Sequence, residues 1–272
     1  MESFLQSAAW GEVQQAYGRE VKHIKQGDCS VLAIKYLLPL KQWYWFIPYG
    51  SLVDGLDDGA LFVRYEPDTV PQHDRRVADV HPSKTLITPL TLPDQMLSSM
   101  KQKCRYNIHI AEKKKLKVTD QLSADVFFEV LTKTSRRQKI KLHPKRYYDT
   151  IIETLKKYDM VKVYGVEYQQ QIIAVALIVY HQGVATYVHG GSDHDHRSLM
   201  APYLLHWQIM QDAFQQGCQQ YDWFGLSDRW PGVTRFKLGF GGDEVTRPGT
   251  FEHPLRSLWY TGYRMIKTLW TL

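Results

Sequence analysis

Residues 221–252 read YDWFGLSDRWPGVTRFKLGFGGDEVTRPGTFE. The aromatic start, 221–224, predicts a buried strand. Residues 239–242, GFGG, predict a turn in which glycine permits positive φ or a close approach to a ligand. Arg235 and Lys237 flank Phe236, and in an extended segment their side chains project to the same face. The stretch therefore predicts two cations directed together beside a glycine-rich turn, although a tight strand connection alone also explains the glycines.

Composition indicates a folded protein with a basic surface. The chain has 272 residues, 44% of them hydrophobic and 13% aromatic, which allows one large domain or two of ordinary size and excludes wholesale disorder. The net charge of +6 favours anionic partners such as RNA, phosphates or a membrane surface without choosing among them.

Cysteine usage and hydropathy give an expectation about location. Cys29, Cys104 and Cys218 are far apart and odd in number, so neither a disulfide framework nor a metal spacing is visible. The first residues lack a basic segment followed by an apolar run, and no apolar run approaches the roughly 20 residues that span a bilayer. We expect a cytoplasmic protein.

Helices and strands follow an α+β order in each half of the chain. A helix is predicted from Ser7 to Tyr17, and strands at 43–47 and 61–67 precede a long, proline-rich connection from Pro67 to Pro93. Later predictions are helices at 93–111, 124–134, 147–158 and 201–216, strands at 161–167, 172–181 and 184–189, and a turn at Gly190–Ser192. The rough repetition suggests a duplicated unit, with domains at 1–120 and 121–252 and a C-terminal amphipathic helix at 253–272.

The helix predicted at 93–111 has a basic face. Lys101, Arg105, His109 and Lys113 recur at intervals of four, and only Glu112 balances them nearby. A solvated helix face explains such a run, but the scarcity of acids favours binding of anions along a phosphate backbone.

Four stretches resemble those of one known family. They occur in the family's order over nearly the whole chain: FLQSAAWG at 4–11, RYNIHIAEK at 105–113, GGSDHDHRSLMAPYLL at 190–205, and GVTRFKLGFGG at 232–242 with GTFE at 249–252. Together they are similar to the FemABX family of peptidoglycan interpeptide bridge-forming aminoacyltransferases. The resemblance implies two tandem GNAT-like (acyl-CoA N-acyltransferase-like) domains with a cleft between them, and no stretch resembles the coiled-coil insertion of some members.

The resemblance also implies a reaction without a cofactor. An amine on the stem peptide of a peptidoglycan precursor, lipid-linked or nucleotide-linked, attacks the ester of an aminoacyl-tRNA. Such aminolysis needs a neutral amine, a proton acceptor, and positive charge where the oxyanion develops. Lys237 falls on the lysine of the R-F-K motif, and Glu66 on an acidic residue near the incoming amine. These two are the candidate catalytic residues, with a structural salt bridge or a structural buried carboxylate as the alternatives.

Further positions are candidates for substrate binding. Cations are expected to contact phosphates, and His189 stands where family members often carry tyrosine. Trp10 and Gln14 in the first motif are expected to line the precursor side. The complete set of expected substrate-binding residues is Lys101, Arg105, Arg137, His189, Arg235, Trp10 and Gln14.

Other chemistries receive little support. The run SDHDHR at 192–197 lacks a second ligand pair for a metal, and no G-x-S-x-G elbow or phosphate-binding glycine loop is present. Two rivals stay open: an acyltransferase with another donor or acceptor, such as a protein or sugar, and a non-catalytic RNA- or membrane-binding relative.

The tail of the chain has an apolar stripe. Trp259, Tyr263, Ile266 and Trp270 are expected to pack back on the first domain, with peripheral contact to the inner face of the membrane as the alternative.

Overall fold

The computed structural model describes residues 2–26 and 29–270. Its α-helices are α1 (Ala8–Ala16), α2 (Pro93–Ser99), α3 (Gln102–Glu112), α4 (Ala124–Gln138), α5 (Lys145–Lys156), α6 (Ala201–Gln215), α7 (Pro231–Lys237) and α8 (Ser257–Trp270). Its strands are β1 (Val21–Gln26), β2 (Cys29–Leu37), β3 (Trp43–Ile47), β4 (Phe62–Tyr65), β5 (Arg75–Arg76), β6 (Lys84–Pro89), β7 (Lys117–Thr119), β8 (Val161–Tyr168), β9 (Gln171–His181), β10 (Val184–Ser192), β11 (Gln220–Asp222), β12 (Asp243–Thr246) and β13 (Phe251–Pro254).

The chain forms two compact units, and their boundaries differ from the domain boundaries predicted from the sequence. Unit 1 contains the residues up to Ser83 and those from Thr246 onward, and unit 2 contains Lys84–Val245. Residues 84–112 belong to unit 2 because β6 pairs with β11 and α3 packs against α6. The C-terminal segment belongs to unit 1 because β13 pairs with β4. Backbone pairing between distant segments sets these boundaries, and local sequence does not encode it.

Unit 1 is built on a mixed sheet. Among the described residues the strand order is β1-β2-β3-β4-β13-β5, with β3 and β4 parallel. Its core is apolar and aromatic, and includes the fully buried Trp45, Ile47 and Val63. Ser7 caps α1 by accepting a hydrogen bond from the backbone N–H of Trp10, as the predicted helix start requires.

Unit 2 contains the larger sheet, ordered β12-β6-β11-β10-β9-β8-β7 in the described part of the chain. Strands β8, β9 and β10 form an antiparallel meander, and β10 pairs in parallel with β11. Strand β9 is buried over nearly its whole length, because helices cover the sheet on both faces.

Several predicted elements differ from those observed. The connection predicted from Pro67 to Pro93 contains β6, which follows Pro82 and ends at Pro89. These prolines argue against a strand in the sequence, but pairing with neighbouring strands stabilises one. The helix predicted over 93–111 is two helices, because the backbone is extended at Met100 and Lys101. There the N–H of Lys101 donates to the carbonyl of Gly239.

The glycine run at 190–192 is not a turn. Gly190 and Gly191 lie in β10, opposite Ala176 and Val175 of β9. Glycine is needed here for close packing, since a Cβ on Gly190 would lie 2.4 Å from the hydroxyl of Tyr187.

The segment around Lys237 is helical, so the predicted projection of two cations to one face is wrong. Pro231 occupies the first turn of α7, where its fixed φ suits a helix start. Two residues apart on a helix, Arg235 and Lys237 diverge by about 200°. Thr234 fixes the preceding loop through hydrogen bonds with both the N–H and the carbonyl of Ser227.

No helix in the described residues is both long and apolar enough to cross a membrane. Those residues also contain no cluster of three or more His, Cys, Asp or Glu side chains that could hold a metal ion. In the SDHDHR run, His196 instead pairs locally with Asp193, whose carboxylate also accepts from the N–H of Asp195. Cys104 and Cys218 are buried free thiols, and the Cys29 side chain lies outside the described part.

Candidate active site

A cavity of about 490 Å³ lies within unit 2 where β10 and β11 separate. The two strands pair only from Val184 to Thr186 and from Gln220 to Asp222. Beyond these residues, 187–192 and 223–224 diverge and line the cavity. A bulge at Val188 interrupts the pairing of β10 with β9 and changes the direction of the strand at this point. The split in the sheet therefore creates the site.

Lys237, at the end of α7, lines this cavity. Its Nζ donates hydrogen bonds to the carbonyl oxygens of Trp223 at 2.8 Å and Gly225 at 2.7 Å. The same Nζ lies 5.4 Å from the centroid of the Tyr187 ring. A protonated lysine has three N–H donors, so two carbonyl partners leave one for a ligand. The ammonium is thus held by backbone rather than by a carboxylate.

An irregular backbone segment supplies those two carbonyls. Phe224 and Gly225 follow β11 with φ of 52° and 141°, outside the region that most residues adopt. The carboxylate of Asp222 stabilises this geometry by accepting from the N–H of Phe224 at 2.8 Å and from the hydroxyl of Thr85 at 2.6 Å. The left-handed conformation of Phe224 thus occurs at the point where the lysine is held.

The surroundings of Lys237 lower the pKa of its ammonium group. Burial lowers the pKa of Lys237 to about 8, although the charge of Asp222 acts in the opposite direction. At neutral pH the ammonium still predominates. The site therefore holds a poorly solvated cation whose proton can be exchanged near physiological pH.

Two uncharged histidines, His189 and His206, also line the cavity. Burial and the neighbouring His143 lower the pKa of His189 to about 3, while burial and Lys237 lower that of His206 to about 3. Nδ1 of His206 lies 2.8 Å from the Tyr221 hydroxyl, so this ring is fixed in the core. Both imidazoles are neutral at pH 7 and can donate or accept a hydrogen bond, but neither is an effective base there.

Lys237 lines the cavity, but the other cations predicted to bind substrate do not. Arg235 and Arg137 are exposed and lie on α7 and α4, two helices that contribute other side chains to the cavity wall. Lys101 is also exposed, immediately before α3. Arg105 is half-buried, and its guanidinium donates to the carbonyls of Met100 and Ser98. It therefore fixes the break between α2 and α3.

The remaining predicted site residues belong to unit 1. Glu66 is buried and accepts hydrogen bonds from Thr250, from the backbone N–H of Tyr49, and from both the N–H and the ring of His81. Trp10 and Gln14 are also buried, and the Gln14 side chain accepts from Arg19 at 2.5 Å. Glu66 and Gln14 therefore have hydrogen-bond partners within unit 1.

Similarity to known proteins fits this architecture. Residues 86–169 and 154–268 match the FemAB family. The chain belongs to the FemAB family. Because the match covers most of unit 2, it includes the split strands and Lys237.

Individual FemAB relatives match only part of the chain. The aminoacyltransferase FemA of Staphylococcus epidermidis is 28% identical over 89 residues, which cover 30% of this chain and 21% of FemA. FemB of the same species is 32% identical over 80 residues, covering 27% of this chain and 19% of FemB. The chain thus spans about a fifth of the length of these curated relatives.

Solved structures extend the similarity over the whole fold. A crystal structure of FemX superposes with a TM-score of 0.82 at 15% identity, covering 95% of this chain and 94% of FemX. The C-terminal domain of a putative lysylphosphatidylglycerol synthetase from Agrobacterium fabrum gives a TM-score of 0.62 at 12% identity, covering 97% and 92%. The α+β class with tandem GNAT-like units, expected from the sequence of this FemAB member, is confirmed.

Sequence reasoning missed two polar side chains of the FemAB site. His206 lies on the otherwise apolar helix α6, where a single histidine is expected in the core, and only the fold places it beside Lys237. Tyr187 precedes His189 by two residues on β10, but the bulge between them breaks the strand alternation, so periodicity could not have placed Tyr187 in the cavity. No pattern in the sequence predicts that two backbone carbonyls accept hydrogen bonds from Lys237.

Proposed function

We propose that this protein transfers an amino acid from aminoacyl-tRNA to the stem-peptide amine of a peptidoglycan precursor by direct aminolysis. The observation that supports the proposal most is Lys237, held by two backbone carbonyls in the cavity of a FemAB-family chain. The relatives that carry the name aminoacyltransferase give the reaction class.

In the proposed reaction Lys237 stabilises developing negative charge. The acceptor amine attacks the ester carbonyl, forming the C–N bond and a tetrahedral oxyanion. Expulsion of the 3′-oxygen of the tRNA then breaks the C–O bond, and the amine proton is lost as the leaving oxygen gains one. The third N–H donor of Lys237 is directed at the oxyanion, and partial burial strengthens that interaction relative to water.

His189 and the exposed cations have supporting roles in the proposal. Neutral His189 holds a polar group of the reactants by a hydrogen bond, since its low pKa makes it a poor proton acceptor. Lys101, Arg137 and Arg235 contact phosphates of the large anionic substrates. Glu66 as an amine-orienting group, and substrate contacts by Arg105, Trp10 and Gln14, stay predictions from the resemblance.

A transfer assay tests the proposal. Pure protein is incubated with a mixed pool of radiolabelled aminoacyl-tRNAs and either nucleotide-linked or lipid-linked muropeptide precursor. We expect label in the precursor, and its loss when the tRNA is first digested with RNase. Absence of transfer by folded protein with both precursors contradicts the proposal. Transfer from an acyl thioester that resists RNase assigns the fold to a different donor.

A further inference from the structure

Helix α8 directs its polar side inward and its apolar side outward. Tyr260 and Tyr263 pack on Phe62 of β4, with ring centroids 5.5 and 5.3 Å away. Nη1 of Arg264 lies 3.7 Å from the buried carboxylate of Glu252. These side chains share the face of α8 that contacts unit 1.

The opposite face exposes a continuous apolar stripe. Leu258, Trp259, Met265 and Ile266 are 90%, 56%, 66% and 53% exposed. At 100° per residue they lie on the side of the helix opposite Tyr260. Of the stripe expected to pack on the first domain, Tyr263 lies against Phe62, whereas Trp259 and Ile266 are exposed. The Trp270 side chain lies outside the described residues. An amphipathic helix of a soluble protein normally presents the reverse orientation.

The turn after β2 exposes another leucine, Leu40, beside this helix. Leu38 packs into the same cluster as Phe62, Tyr260 and Tyr263, which places the turn after β2 beside α8. In that turn Leu40 is 82% exposed and has a φ of 58°, a left-handed conformation that is unfavourable for leucine. Two segments more than 200 residues apart thus expose large apolar side chains on the same part of unit 1.

Charge indicates what covers this surface. Residues 253–272 contain no Asp or Glu, and Arg256 and Lys267 are exposed there, whereas Arg264 faces Glu252. The guanidinium of Arg256 lies 5.5 Å from the centroid of the Trp259 ring, at one end of the stripe. Lys41 follows Leu40 in the adjoining turn. Apolar and aromatic side chains with cations and no acids match the boundary between acyl chains and anionic headgroups.

We propose that the outer face of α8, together with the turn at Leu40, docks unit 1 on a membrane surface that contains anionic lipid. The helix has 14 residues, fewer than the roughly 20 that span a bilayer, so it lies in the plane of the interface. A second copy of the chain fits less well. Four side chains bury on the order of 500 Å², against roughly 800 Å² for each partner in a standard interface. The docking is independent of the transfer reaction, although a lipid-linked acceptor gives it a use.

Vesicle flotation tests the proposal without any turnover. Wild-type protein is mixed with vesicles of phosphatidylcholine alone or with one quarter phosphatidylglycerol. We expect flotation with the anionic vesicles and weaker flotation at high salt. The double variant Leu258→Glu/Ile266→Glu should bind at least tenfold more weakly. Val70→Glu, which changes a 69% exposed valine elsewhere in unit 1, should bind as the wild type does.

Controls separate docking from folding and from self-association. Met265→Gln keeps a good helix former and adds no charge, so weaker binding by this variant with an unchanged circular dichroism spectrum and melting temperature supports the apolar contact. Equal flotation of wild type and the double variant overturns the proposal, as does no flotation of the wild type. A dimer seen by ultracentrifugation that the double variant abolishes, without vesicle binding, assigns the face to a second copy instead.

Discussion

The ammonium of Lys237 donates a 2.7 Å hydrogen bond to the carbonyl oxygen of Gly225, a residue with a φ of 141°. This relationship joins helix α7 to the irregular backbone that follows β11. It holds a cation at the cavity through two backbone carbonyls, and no carboxylate in the described part of the chain forms an ion pair with it. The predictions below start from this arrangement.

Removing the ammonium should abolish transfer while leaving substrate binding nearly intact. Lys237→Met keeps the length of the aliphatic chain but loses the donor to an oxyanion. We expect kcat for label transfer to fall by about 10²–10³, the usual effect of deleting such a donor. Lys156→Met is the matched control, since Lys156 is an exposed lysine of α5 to which the proposal gives no role, and kcat should change far less. Equal losses in the two variants would contradict the role given to Lys237.

Transfer should decline at alkaline pH. The pKa of Lys237 is lowered to about 8, so the fraction of ammonium falls as the pH rises through 8. Single-turnover rates measured from pH 6 to 9.5, corrected for spontaneous ester hydrolysis, should show a falling limb near pH 8. Lys237→Arg retains its charge over this range. If that variant is active, its falling limb should disappear, whereas an unchanged limb would assign the ionisation to another group.

The buried histidines should make the protein sensitive to acid. In the unfolded chain a histidine protonates near pH 6.5, whereas His189 and His206 do so near pH 3. Between these values the unfolded state binds more protons, so the free energy of unfolding decreases as the pH falls from 6.5.

His189→Tyr should reduce this acid sensitivity. Removing one such histidine should reduce the loss of stability between pH 7 and 4 by about 3 kcal/mol. Urea denaturation at several pH values measures the effect. His73→Tyr, at an exposed position, is the control. An identical pH dependence of the wild type and His189→Tyr would show that His189 is not protonated differently on unfolding.

Close packing at the bulged strand should make Gly190 sensitive to substitution. A Cβ there would lie 2.4 Å from the hydroxyl of Tyr187 and 2.6 Å from the carbonyl oxygen of Val175. Gly190→Ala should therefore lower the free energy of unfolding by about 1–3 kcal/mol. Gly232→Ala should have a neutral or slightly stabilising effect, because no atom lies within 4 Å of its added methyl group and the residue is helical. Thermal melts of both variants provide the comparison.

Local patterns in the sequence predicted much of the α+β fold. Ser7 and the apolar spacing after it specified the start of α1, and the apolar runs of 161–167 and 172–181 predicted two strands of the meander. The R-F-K motif singled out Lys237, which does line the cavity. These features depend on hydrogen bonds and side-chain periodicity within a few residues, and a single sequence displays them directly.

Long-range contacts decided the rest. The pairing of β6 with β11 and of β13 with β4 sets the two units, and the separation of β10 from β11 creates the cavity. The lowered pKa of Lys237 comes from burial among segments distant in sequence. The outward orientation of Trp259 depends on Tyr260 and Tyr263 packing against Phe62. The sequence by itself determined many of the elements and the motif lysine. Burial, charge environment and exposed faces are properties of assembled segments, so only the tertiary structure could decide them.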